Sequence, residues 1–317
     1  GARRAKAVRR RAAIRAVRRY RAAARASNPF AGVPLYVEPA SPAALQARAW
    51  RATRPGDAAL LDDLASQPAA LWLGDFTPDV EAAAAERVAA ARAEGSLPVL
   101  VAYDIPRRDC GLHSAGGAAD AGAYRAFIGA LARGIGRDAA AVILEPDALA
   151  GMDCLAPRER TERMRLIAEA TARLAALPGT SVYIDAGNPA WIGAAEMARR
   201  LRSSGVRRAA GFALNVSNFR RTAENRAYGL ALSRRLGGAP FVIDTSRNGR
   251  GPAPDGEWCN PPGRGLGERP TAATGDPLAH AYLWIKRPGE SDGSCGGGPP
   301  AGTFWPEYAL GLAQRAA

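Results

Sequence analysis

Histidine is nearly absent from this chain, with two residues among 317. A zinc centre built on imidazoles and a Ser-His-Asp triad are therefore both poorly supported. The four cysteines, Cys110, Cys154, Cys259 and Cys295, form no Cys-x-x-Cys pair of the kind that binds metal. No run approaches the about 18 apolar residues of a membrane-spanning helix. The N-terminal stretch lacks the apolar core of a signal peptide. No Gly-rich phosphate loop follows a strand-like segment, because Gly265-x-Gly267 falls in a long loop, and no Gly-x-Ser-x-Gly elbow occurs. Acidic residues are missing from residues 1–25, which hold eleven Lys and Arg; the remainder has 32 bases against 30 acids. The net charge of +13 therefore belongs to a tail, and the body is near neutral. A basic run can bind nucleic acid, but more often it is a solvated, partly helical extension. The body lacks the aromatic-interleaved basic face of single-strand binders, so no nucleic-acid partner is expected.

What is present is regular. Apolar residues make up 47%, enough for a large core. After a tail over 1–27, one domain is expected over 28–317. Strand-like segments begin at Leu35, Ala70, Leu97, Ala141, Thr180, Ala210, Phe241 and Ala281. Helical segments separate most of them: 41–51, 56–66, 78–94, 120–135, 157–177, 191–203 and 222–236. A closing helix is expected near 304–315. Such alternation implies a parallel sheet, and seven or eight units without a linker predict one α/β barrel with its cleft at the C-terminal strand ends. Residues 247–279 are rich in Gly and Pro, and a loop of that length inside such a fold is usually functional.

The centre of this pattern is Ala141-Val-Ile-Leu-Glu-Pro-Asp147. Four apolar residues read as a strand buried on both faces, and Pro146 marks its end. Asp147 then sits at the rim. A carboxyl beside an apolar wall keeps its proton and can act as a general acid. An Asp in this place can equally cap the next helix. Other strands also end in polar or aromatic residues, among them Glu38, Asp75, Asp104, Asp185, Asn215, Asp244 and Lys286. With Trp72, Trp191, Trp258 and Trp284 nearby, the ring suggests a polar groove floored by indoles, suited to sugars. One or two of the six tryptophans are expected in the core instead. Each cysteine follows a strand; if the protein is exported, two disulfides can form with any of three connectivities.

Several stretches carry a more specific resemblance. They are Tyr103-Asp-Ile-Pro-Arg-Arg-Asp-Cys-Gly-Leu-His-Ser-Ala-Gly-Gly117, Leu144-Glu-Pro-Asp147, Tyr183-Ile-Asp-Ala-Gly187, Val242-Ile-Asp-Thr-Ser-Arg-Asn-Gly249, Glu257-Trp-Cys259 and Leu283-Trp-Ile-Lys-Arg-Pro-Gly-Glu-Ser-Asp-Gly293. In order and over about 33–315, they resemble glycoside hydrolase family 6. That resemblance implies a distorted barrel of about seven strands and a secreted, cofactor-free and metal-free monomeric cellulase. Its substrate would be β-1,4-glucan, cleaved with inversion.

By the same resemblance Asp147 matches the general acid, Asp109 its supporting acid, and Asp292 a candidate base. Tyr103 matches the tyrosine against the distorted sugar, and Ser114 the serine that holds water. Trp72, Asp185, Asn188, Trp191, Asn215, Trp258, Lys286 and Glu290 match sugar-binding positions. The implied disulfides are Cys110–Cys154 and Cys259–Cys295. Arg107 and Arg108 are expected to keep Asp109 ionised. The short stretch after Asp292 favours an open cleft and an endoglucanase. A cellobiohydrolase and a catalytically inactive glucan-binding barrel are the alternatives.

Overall fold

The computed structural model describes residues 28–316, so the basic tail lies outside the described residues. In chain order the elements are α1 (Pro42–Trp50), α2 (Pro55–Ala65), β1 (Leu71–Leu73), α3 (Val80–Ala93), β2 (Val99–Ala102), α4 (Ala121–Ile135), β3 (Ala140–Leu144), α5 (Pro157–Ala175), β4 (Thr180–Asp185), α6 (Ala194–Ser203), β5 (Gly211–Leu214), α7 (Thr222–Arg235), β6 (Phe241–Asp244), β7 (Ala279–Leu283) and α8 (Pro306–Gln314). Local chemistry sets the helix starts. Ser41, Asp79 and Asp120 each accept an amide from their helix's first turn, at 3.3, 2.9 and 2.8 Å. Pro78 accordingly precedes the cap instead of lying in the first turn.

The seven strands are parallel and pair in sequence order, β1 to β7. The sheet curls until its edges nearly meet. Across that seam the Ala70 amide reaches the Trp284 carbonyl at 3.1 Å, and the Trp72 indole N–H reaches the Ile285 carbonyl at 2.8 Å. This is the expected distorted barrel. The expected first strand, Leu35–Pro39, reduces to one parallel bridge between Leu35 and Leu97. Pro34, whose carbonyl accepts the Leu97 amide at 2.8 Å, has no amide of its own to extend the ladder on that side.

Strand alternation divides the core. Val99, Val101, Ala141, Ile143, Tyr183, Val242 and Ala281 fill the barrel interior, and Phe30 joins them at 5.7 Å from the Tyr183 ring. Leu100, Val142, Leu144, Val182, Ile184 and Ile243 face outward to the helices. Trp284 belongs to a third cluster with α1, α2 and α8, as core filler with its indole N–H on the Glu268 carbonyl. No helix among the described residues is long and apolar enough to cross a membrane.

Ile143 is fully buried inside the barrel. Replacing it with alanine should cost about 2–5 kcal/mol, read as a lower urea midpoint at constant slope. A loss under about 0.5 kcal/mol would mean that the interior is not packed as described.

Candidate active site

The strand ends turn by an unusual backbone route. Glu145 and Asp147 after β3, and Asn215 and Ser217 after β5, all have positive φ, at 53°, 66°, 66° and 57°. Asx residues tolerate this conformation best, and repeated use marks segments held by their surroundings. The turns open onto a cleft of about 930 Å3 at the C-terminal ends of the strands.

Asp147 lines that cleft. Its backbone N–H donates to the Asp185 carboxylate at 3.0 Å, and α5 begins only at Pro157, so it is not a helix cap. No hydrogen bond to its carboxyl occurs among the described residues. Its pKa is held well above the ordinary carboxylate range, first by burial and then by Asp185, Asp109 and Asp292; Lys286 opposes this. A neutral carboxylic acid facing a cleft is a proton donor.

Across from it, Asp109 opens a short 3-10 turn, Asp109–Gly111. The Asp109 carboxylate accepts the Ser114 amide at 2.8 Å and the Ser114 hydroxyl at 2.9 Å. That hydroxyl also lies 2.9 Å from the Tyr103 hydroxyl. Burial above all holds the Tyr103 phenol above its ordinary pKa, so it stays protonated. Neither neighbouring arginine pairs with Asp109, contrary to expectation. Arg107 pairs with Glu159. The buried Arg108 donates to Asp75 at 2.9 Å and to the Tyr103 and Ser114 carbonyls at 2.7 and 2.9 Å. Arg108 therefore shapes the loop and does not charge-balance its acid.

Asp292 is held from three sides. The fully buried Arg247 grips it with two bonds, at 2.9 and 3.0 Å. The Asn260 amide donates to it at 3.0 Å, and the Lys286 ammonium lies 3.5 Å away. Burial alone would raise its pKa, but Arg247 and then Lys286 bring it below the ordinary value. Glu290 pairs with Arg287 at 2.6 Å, yet burial keeps its pKa raised.

Eleven of the expected site residues meet in this cleft: Asp147, Asp109, Asp292, Tyr103, Ser114, Trp72, Asn188, Trp191, Trp258, Lys286 and Glu290. Trp191 lies outside α6, which starts three residues later than expected, at Ala194. It is therefore free to stand at the rim. Two expected residues do not line the cleft. Asn215 is fully buried, with its amide group on Asp244, Asn218 and Arg220 backbone atoms. Asp185 is buried behind Asp147, spending one oxygen on the Asp147 and Gly187 amides. Both brace the rim. Asn218, a polar residue expected after β5, lines the cleft, and so do Arg220, Phe76 and His113, which were not singled out; they lie beyond strand ends, where periodicity carries no information. The His113 ring rests 5.7 Å from that of Trp258, bringing the loop after β2 against the long loop before β7. Both disulfides tie rim loops, Cys110–Cys154 and Cys259–Cys295.

Residues 30–316 match the family model described as Glycosyl hydrolases family 6. Endoglucanase A of Cellulomonas fimi is 46% identical over 272 residues, 85% of this chain but 59% of that protein, so the chain spans about three fifths of that relative's length. Endoglucanase 1 of Streptomyces halstedii is 47% identical over 86% of each chain. The endoglucanase Cel6 of Mycobacterium tuberculosis was solved in complex with methyl-cellobiosyl-4-deoxy-4-thio-β-D-cellobioside. It superposes with a TM-score of 0.87 at 49% identity, covering 91% of this chain and 99% of that one. The catalytic core of a Chaetomium thermophilum cellobiohydrolase gives 0.78 at 27% identity, over 91% and 98%.

The buried carboxyls also predict how stability follows pH. Burial pushes Glu145 up to about 8, and burial with the nearby Asp75 pushes Asp104 up to about 6. Unfolded, both titrate in the ordinary carboxylate range, so between about 4.5 and 8 the folded state binds more protons. Stability should therefore fall as pH rises across that interval. Below it, carboxylates held low in the folded state, Asp292 and Glu196, withdraw stability as the pH drops. Calorimetric Tm at constant ionic strength should peak near about pH 4–5. A Tm that climbs from pH 5 to 8 would contradict this.

Proposed function

The chain belongs to glycosyl hydrolase family 6, and from that premise we propose that it is an extracellular endoglucanase. It cleaves internal β-1,4-glucosidic bonds with inversion. The observation that carries this reading is Asp147: a carboxyl kept neutral by burial and three neighbouring acids, free of protein hydrogen bonds among the described residues and facing the cleft.

Asp147 protonates the glycosidic oxygen as the C–O bond breaks, and its carboxylate is left behind. Water attacks the anomeric carbon from the opposite face, which requires room between the sugar and the group that takes the water's proton. Asp292 is poorly suited to that role, because Arg247, Lys286 and Asn260 already occupy its lone pairs and lower its basicity. Asp109 and Ser114 offer another route. The serine hydroxyl, fixed between Asp109 and Tyr103, orients a water that relays the proton to the Asp109 carboxylate. Asp292 then acts as fixed negative charge that helps keep the proton on Asp147.

Trp72 stands edge-on to Tyr103, 5.1 Å away, and floors the site beside that ring. Trp191 and Trp258 are 41% and 46% exposed, so sugar faces can reach both indoles from solvent. That openness supports attack within a chain over processive cleavage from an end. Two disulfides on the rim suit an oxidising, extracellular setting. Residues 28–317 then form the catalytic unit, a monomer acting on neutral glucan.

Asp147→Ala should lower kcat on cellopentaose by about 10²–10⁴-fold, while oligosaccharide affinity stays near that of the wild type. Proton NMR of the first products should show the α-anomer. Carboxymethyl cellulose should lose viscosity well ahead of reducing-sugar release. Initial β-anomer, or undiminished activity in the variant, would refute the mechanism; viscosity tracking sugar release would point to an exo-acting enzyme.

A further inference from the structure

Two buried side chains away from the cleft wall read the loop that carries Asp109. Glu145, at the end of β3, is 1% exposed and accepts the Asp104 and Ile105 amides at 3.0–3.1 Å. Arg163, on α5, is 4% exposed and donates to the Pro106 and Arg107 carbonyls at 2.8 and 2.9 Å. The same guanidinium reaches the Ala148 carbonyl, one residue past Asp147, at 3.5 Å. Consecutive amides and carbonyls of residues 104–107 are thus gripped by one acid and one base, both anchored on the neighbouring βα unit. The Cys110–Cys154 bond ties the same two loops further out. The disulfide fixes their tips, and the polar clasp fixes their roots.

We propose that Glu145 and Arg163 form a positioning clasp that sets the separation of Asp109 from Asp147, and so tunes the acid without touching substrate. This rests on the reading of Asp147 as the proton donor. A shift near 1 Å at a reacting group can cost about a hundredfold in rate, and a buried arginine whose Nη2 is shared between two successive carbonyls resists such a shift. The groups facing Asp147 are Asp185, Asp109, Asp292, Lys286 and Tyr103; those facing Glu145 are Asp104, Tyr124 and Arg163. Of these only Asp109 rides on the loop that the clasp grips beyond its root. Letting that loop drift removes like charge from Asp147 and eases loss of its proton.

The test is steady-state hydrolysis of cellopentaose by wild type, Arg163→Lys and Arg163→Met from pH 4 to 9, with Tm measured alongside. Both variants should keep KM within about twofold and lose about ten- to a hundredfold in kcat, the lysine less than the methionine. The alkaline limb of kcat should move to lower pH. Unchanged kcat, a change in KM alone, or a kcat loss with the alkaline limb unmoved would each overturn the clasp. If Arg163→Met does not fold, Arg163→Lys carries the same comparison. Should wild type be inert on cellopentaose, the functional reading fails on its own. Hydrogen exchange then decides the clasp: lost protection at Asp104 and Ile105 in Arg163→Lys upholds it, and wild-type protection overturns it.

Discussion

Backbone amides at the carboxyl end of a curled parallel sheet have no further strand to pair with, and an unpaired buried amide costs about 1–3 kcal/mol. This chain meets them with buried carboxylates, each turned toward a neighbouring strand. Glu145 takes the amides after β2, and Asp185 takes the Asp147 amide after β3 as well as the Gly187 amide after its own strand. Asp244 takes the Ser217 amide after β5 and the Lys286 amide after β7, both at 2.9 Å. The rim is laced sideways, strand end to strand end. The same lacing gathers acids in a dry place, where they raise one another's pKa values. The proton on Asp147 follows from the way the rim is held together.

Cations fix what the acids cannot. Arg247 and Asp292 form a buried pair whose desolvation offsets most of its Coulomb gain, so its worth lies in geometry. Removing Asp292 would still cost about 3–5 kcal/mol, because the Arg247 charge would remain buried without its ion-pair partner. Arg200 on α6 serves the Asp147 loop similarly, donating to the Leu149 carbonyl at 2.5 Å and the Ala150 carbonyl at 3.3 Å. Helices outside the barrel therefore hold the loops above it through long side chains that reach backbone carbonyls.

Much of this was legible in the chain. Apolar runs ending in acid or aromatic residues located the strands, and the ordered motifs contain eight of the eleven expected residues that line the cleft. What escaped has physical reasons. Leu35–Pro39 has the composition of a strand, but a proline lies at each of its ends and its pairing stops at one bridge. Asp185 and Asn215 end strands just as Asp147 does, and their residue type cannot say whether a side chain faces the cleft or its neighbour's amides. Arg107 and Arg108 adjoin Asp109 in sequence, but a left-handed turn at Arg107, Asp109 and Cys110 sends their guanidinium groups elsewhere. Arg163 sits on a charged helix among other arginines, and only the fold shows that it turns inward.

Both covalent cross-links lie on the loops above the sheet, and none crosses the barrel itself. The strands and their apolar filling owe nothing to oxidation, whereas the loops bearing Asp109 and Trp258 do. In a thiol-reducing compartment the barrel would keep its shape, while the loops above it would be held by hydrogen bonds alone. Reduction would thus act first on the cleft's rim and leave the barrel beneath it standing.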